Sequence, residues 1–147
     1  MTTYERTIRS IRKTVLIVED DVKTAKALAI RLEAAGYEVL TAPDGVQGVQ
    51  HAMDHRPDLI ITDIWLPVGI GFSLAQRLKR AGLGHIPLVF ITASRLPGLK
   101  QAAMQLGAVG YFEKPYDPEA LLRTIAQSLD AATDHPNAHN HNYHAAP

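Results

Sequence analysis

Three short apolar runs, Val15 to Val18, Leu59 to Ile61 and Leu88 to Ile91, constrain this chain more than any other feature. Each is too short to be a helix, and each is rich in Val and Ile. None alternates with polar residues, as a strand with one wet face would. Unbroken apolar runs of this length suit strands buried on both faces, the situation inside a parallel sheet. Glu38 to Thr41 and Val109 to Phe112 are weaker runs of the same kind.

Between the runs the apolar period becomes helical. Ala25, Leu28, Leu32 and Ala35 share one stripe, and Gly36 then supplies a stop. Val49, Ala52 and Met53 mark a second helix, and Leu74 and Leu78 a third that ends at Gly82. Leu99, Ala102, Ala103 and Leu106 mark a fourth, stopped by Gly107. Leu121, Ile125 and Leu129 mark a fifth, opened by Asp117-Pro118, where Pro suits the first helical turn. Strand then helix, repeated in this way, predicts an α/β fold: a doubly wound, five-stranded parallel sheet with helices on both faces. Right-handed crossovers leave few topologies open.

A length of 147 residues suits one domain. The 15 Lys and Arg balance the 15 Asp and Glu, so nothing in the charge favours nucleic acid or a membrane surface as partner. With no Cys, disulfides, thiolate metal sites and cysteine nucleophiles are excluded. No apolar run approaches the ~20 residues that span a bilayer, and the first residues lack the apolar stretch of a secretory signal. The expectation is a cytoplasmic protein. Residues 1–13 read as a basic arm with Arg6, Arg9, Arg12 and Lys13, and 14–129 as the folded domain. Residues 130–147 read as a disordered, His-rich tail with no room for an output domain.

Ligands of such sheets gather beyond the carboxyl ends of the strands. The residues there are Glu19-Asp20-Asp21, Thr62-Asp63, Thr92-Ala93 and Glu113-Lys114-Pro115. Carboxylates crowded on one rim repel unless a cation sits among them, and oxygen ligands with open water positions suit Mg²⁺. A metal beside a carboxylate, a hydroxyl and an ammonium is a place to bind phosphoryl oxygens. From these residues alone, the phosphoryl group is either a passing ligand or one that becomes attached to Asp63. Each residue also has a plainer reading. Asp63 could cap a helix or form a turn, Lys114 could be a solvated charge, and Asp21 reads better as a helix N-cap than as a ligand.

Taken together, VLIVEDD at 15–21, PDLIITDIWLP at 57–67, PLVFITA at 87–93 and GAVGYFEKPYD at 107–117 resemble the receiver domain of bacterial two-component response regulators. The resemblance covers about residues 14–129 and is to stand-alone, chemotaxis-regulator-like members. It implies a flavodoxin-like (βα)5 sheet of order 2-1-3-4-5. It implies that Asp63 accepts a phosphoryl group from a phosphohistidine donor. Asp20 would ligate Mg²⁺ directly, Glu19 through water, and Trp65 through its backbone carbonyl, with Asp63 completing the protein ligands. Thr92 and Lys114 would hold phosphoryl oxygens, Tyr111 would be the switch aromatic, and Pro115 would follow a cis peptide bond. The implied partners are a sensor histidine kinase or histidine phosphotransfer protein and a downstream protein target, with a homodimer also open. Nucleic acid and membrane are not among them.

The chain departs from the family after the acceptor, where Leu66-Pro67-Val68-Gly69-Ile70-Gly71 stands in place of the usual Met-Pro and Asp-Gly. Four other readings compete. A phosphorelay intermediate or phosphate sink would use the same residues. An aspartyl phosphatase would need a second acid where Trp65 stands. A non-phosphorylated pseudo-receiver would usually lack the acidic pair, the acceptor or the Lys, and a flavin module would not put three acids at its phosphate loop. At the termini, the basic arm reads as a solvated segment whose Ile8 and Ile11 could pack on the domain or on a second subunit. The tail's His135, His139, His141 and His144 match no structural zinc spacing.

In this family the positions of Trp65 and Ser94 flank the route of the hydrolytic water. An indole offers an apolar face and no general base, and Ser94 is short and uncharged. The expectation is therefore a long-lived acyl phosphate, shielded from water. Trp65→Asn should shorten its half-life, measured by loss of the phosphorylated mass over time. An equal or longer half-life would assign Trp65 to docking instead.

Overall fold

The computed structural model describes residues 2–4, 12–64 and 71–133. Among the described residues from 12 to 133, five strands alternate with five helices: β1 (Thr14–Val18), α1 (Val22–Ala34), β2 (Glu38–Ala42), α2 (Gly45–His55), β3 (Leu59–Asp63), α3 (Gly71–Arg80), β4 (Leu88–Thr92), α4 (Leu99–Gln105), β5 (Gly110–Glu113) and α5 (Pro118–Thr133). The strands form one sheet of order β2-β1-β3-β4-β5, every pair parallel. This is the doubly wound, flavodoxin-like arrangement expected from the sequence. None of the helices among the described residues is long and apolar enough to cross a membrane.

The three unbroken apolar runs became the three central strands, and β3 and β4 are buried along their whole length. Side chains alternate between two cores because strand residues alternate faces. Leu16, Val18, Ile60 and Phe90 meet Leu74 and Leu78 of α3 and Ala52 of α2 on one face. Val15, Ile17, Ile61 and Val89 meet Leu28 and Leu32 of α1 and Leu121 and Ile125 of α5 on the other. The edge strands β2 and β5 are only partly buried, which matches their weaker apolar runs.

Local signals account for the helix ends. Asp21 is the N-cap of α1, its carboxylate accepting from the backbone N–H groups of Lys23 and Thr24 at 2.9 and 3.2 Å. Asp44 caps α2 in the same way through Gln47. Gly36, Gly82 and Gly107 follow their helices at φ of 99°, 77° and 84°, where a side chain would be strained.

The structure corrects several details. Met53, expected on the core stripe of α2, is half exposed, and the buried face is instead Gly45, Gly48 and Ala52. The helix lies so close to β1 that small residues take the inner positions. Leu106 caps α4 and is largely solvent-facing rather than core. β3 and β4 each run further than their apolar runs, through Asp63 and Thr92, so these polar residues belong to the ladder itself. Helix α5 continues through Thr133, past the boundary drawn at Leu129, because the amphipathic stripe marks burial while backbone bonding can continue beyond it. Trp65 and the Gly69-Ile70 departure lie outside the described residues, as do arm residues 5–11 and tail residues 134–147.

Gly48 tests the close approach of α2 to β1. A Cβ there would stand 3.0 and 3.3 Å from the two methyls of Val18. Removing a helical glycine gains about 1 kcal/mol, and crowding a packed contact costs about 1–3 kcal/mol. Gly48→Ala should therefore be near neutral in urea unfolding, whereas Gly48→Leu should lose roughly 2 kcal/mol or more. Equal stability of the Leu variant would refute the tight packing.

Candidate functional site

Parallel pairing brings the carboxyl ends of β1, β3, β4 and β5 to one rim. Val18 pairs with Thr62, Asp63 with Ile91, and Thr92 with Glu113. One residue beyond the last of these pairs, the Lys114 backbone N–H donates to the Thr92 carbonyl at 2.8 Å. That bond fixes where the Lys114 side chain leaves the sheet. The Lys114–Pro115 peptide that follows is cis.

Three of the sequence-predicted residues meet here. The Lys114 ammonium stands 3.0 Å from Asp63 Oδ2, a hydrogen-bonded ion pair, and 3.6 Å from Glu19 Oε2. Glu19 and Asp63 are each only 8% exposed. The other Glu19 oxygen accepts from the Asp21 backbone N–H at 3.3 Å, which ties the carboxylate to the start of α1. Asp63 is anchored from behind as well, since the Thr62 hydroxyl donates to its carbonyl at 3.0 Å.

The electrostatics follow from burial. Desolvation pushes the Glu19 carboxyl up to about 7; Lys114 opposes this, and the charge and hydrogen bond of Asp63 reinforce it. For Lys114, burial works against the ammonium, but the bond and charge of Asp63 and the charge of Glu19 outweigh it. Its pKa is held above the ordinary lysine value. Two buried carboxylates thus share one ammonium.

The remaining predicted residues are placed differently. Asp20 is exposed and stands outside the ion-pair cluster. Thr92 is fully buried, and its hydroxyl oxygen accepts from the Ser94 backbone N–H at 3.0 Å, with no hydrogen bond to Asp63 or Lys114. Tyr111 is half-buried against the α2–α3 core, its hydroxyl pKa raised by burial and by the Glu113 charge. Trp65 is outside the described residues.

One residue escaped the sequence reading. Tyr116 lines a small cavity with Glu19, Asp63 and Lys114, over a floor of Ile17, Ile61 and Ile91. Its ring stands edge-on to Phe112 at 6.1 Å. Burial raises its pKa, with Lys114 and Arg31 opposing. The only sequence signal was its position two residues after Lys114.

The donors around this rim are all oxygen, which suits a hard cation such as Mg²⁺. Among the described residues no three acidic or imidazole side chains are grouped to enclose a metal by themselves. Glu19 and Asp63 supply two carboxylates, and Asp20 lies at the solvent side of the same strand end. Chemically, the arrangement offers a nearly buried carboxylate with an ammonium in contact, able to accept an electrophile and to neutralise the charge it brings.

Comparison with known proteins bears on this geometry. The response regulator receiver domain family matches residues 15–126. The phosphate regulon transcriptional regulatory protein PhoB of Pseudomonas aeruginosa is 39% identical over 120 residues, covering 81% of this chain and 52% of PhoB. The polar-differentiation response regulator DivK of Brucella anthropi is 36% identical, covering 82% of this chain and 98% of DivK. The chain thus spans about half of PhoB and nearly all of DivK. The structure of the chemotaxis response regulator CheY4 of Vibrio cholerae superposes with a TM-score of 0.72 at 33% identity, covering 80% of this chain and 98% of CheY4.

The raised Glu19 pKa has a consequence for stability. Because the folded state holds this proton more tightly than the unfolded chain, the contribution is fully present below about 4.5 and is lost as pH rises through about 7. In chelator, Glu19→Gln should remove this loss, so the variant gains on the wild type by on the order of 2 kcal/mol between pH 4.5 and pH 8. Parallel stability curves from urea unfolding would refute the buried, protonatable Glu19.

Proposed function

The chain belongs to the response regulator receiver domain family, and from that premise we propose that it accepts a phosphoryl group on Asp63 and signals the change to a protein partner. The donor is a sensor histidine kinase or a histidine phosphotransfer protein. The protein acts in the cytoplasm as a single-domain regulator, a reading supported by the near-complete coverage of DivK. It catalyses only its own phosphorylation and dephosphorylation.

The observation that carries this reading is the contact of Lys114 with Asp63 and Glu19. A carboxylate oxygen of Asp63 attacks phosphorus, the P–N bond of the donor breaks, and the departing imidazole takes a proton from solvent. When bound, Mg²⁺ supplies charge neutralisation between the phosphoryl oxygens and the acidic pair. Asp20 and Asp63 would hold it directly and Glu19 through water; the Trp65 carbonyl, the further ligand that the family resemblance implies, lies outside the described residues. Lys114 then exchanges its bond to the Asp63 carboxylate for one to a phosphoryl oxygen. Thr92 leaves its bond to Ser94 and turns to another. Tyr111 follows Thr92 inward, which reshapes the surface of β4, α4 and β5 that a partner reads. The intact Asp63–Lys114 pair argues against a pseudo-receiver, in which no phosphoryl group has to be accommodated.

Incubation with Mg²⁺ and acetyl phosphate should add one phosphoryl group, seen by intact mass. Asp63→Asn should abolish it, as should a chelator. Equal incorporation in the Asn variant would sink the assignment. Lys114→Ala should still fold but should label poorly, because the charge arriving on Asp63 is left less compensated. Normal labelling and normal partner binding by that variant would show that Lys114 has no such role.

A further inference from the structure

The rim site is built from oxygen donors, yet the described residues also carry a nitrogen pair on another element. His51 and His55 stand one turn apart on α2, a helix of 11 residues, and their rings face each other with centroids 6.0 Å apart and planes tilted by 31°. Residues at i and i+4 lie on one helical face, the spacing with which two histidines of a helix share one ion. Two imidazoles bind a single zinc ion with nitrogens at about 2.0–2.1 Å. Neither ring makes a hydrogen bond or an ion pair among the described residues, and neither belongs to either core cluster. His51 is half-buried and His55 exposed, so the pair is reachable from solvent.

The helix end also favours a cation here. The pair occupies the last turns of α2, where the unpaired carbonyls give the negative end of the helix dipole. Asp54 is held by the Gln50 amide at 3.0 Å and does not join the pair as a third ligand. We propose that His51 and His55 form a second cation site, selective for a borderline transition ion such as Cu²⁺, Ni²⁺ or Zn²⁺. Imidazole nitrogens suit these ions and leave Mg²⁺ to the oxygen donors of the rim, so the two sites sort cations by ligand chemistry. The ion clips successive turns of α2 and keeps its other positions open to water.

The tail contains four further histidines, so the test is made in a chain carrying His135→Asn, His139→Asn, His141→Asn and His144→Asn. That chain is titrated with Ni²⁺ by calorimetry, with Mg²⁺ present throughout and folding followed by circular dichroism. One Ni²⁺ should bind per chain. His51→Asn and His55→Asn should each weaken binding roughly tenfold or more. Gln47 is exposed and stands four residues before His51. Adding Gln47→His to His55→Asn therefore recreates an i, i+4 pair and should restore affinity. Absence of binding in the starting chain, unchanged affinity in either single variant, or failure of Gln47→His to restore binding to a folded protein would each overturn the proposal.

Discussion

Two carboxylates at 8% exposure sit against one ammonium at the end of an apolar sheet, and the surrounding architecture makes that arrangement tolerable. A buried carboxylate without a partner is strongly unfavourable. Lys114 meets both Asp63 and Glu19, although 51 residues separate it from Asp63 in the chain. The contact exists because β1, β3, β4 and β5 all point the same way and end at one level. An antiparallel strand among them would send its last residue to the opposite rim. Parallel direction in turn demands crossovers, and the helices that supply them cover both faces of the sheet.

The charge balance of this cluster is uneven. With one ammonium shared by two acids, the second acid is undercompensated, and burial pushes Glu19 up to about 7. A further positive charge would relieve this, and a further negative charge on Asp63 would demand one. One added charge of either sign therefore changes the electrostatic balance of the rim. Thr92 stands at the end of β4 with its hydroxyl turned to Ser94, and Tyr111 is half-buried on β5.

Burial separates the two kinds of polar residue on the strands. Thr62, Asp63 and Thr92 are buried and belong to the ladder, while Asp20 and Asp21 face solvent just beyond it. Asp21 is spent on capping α1. The acidic triplet at 19–21 is therefore three residues with three surroundings, although in the chain they look alike. Exposure also changes along α2, where Gly45, Gly48 and Ala52 are buried while His51 is half-buried and His55, at the helix end, is exposed.

Much of this was legible in the chain. The central strands could be read from Val15–Val18, Leu59–Ile61 and Leu88–Ile91, because only a strand covered on both faces tolerates such runs. The helix stops at Gly36, Gly82 and Gly107 could be read because a left-handed residue favours glycine. The four quoted motifs carried the family, and with it the strand order. Tertiary structure decided what periodicity cannot carry. It determined that Glu19 rather than Asp20 meets Lys114, that Tyr116 enters the cavity beside them, and that Met53 and Leu106 turn outward. Sequence period reports which face of an element is covered. Which neighbour a side chain reaches depends on how closely two elements approach and how the loops between them turn, and those distances are set only when the whole sheet is assembled.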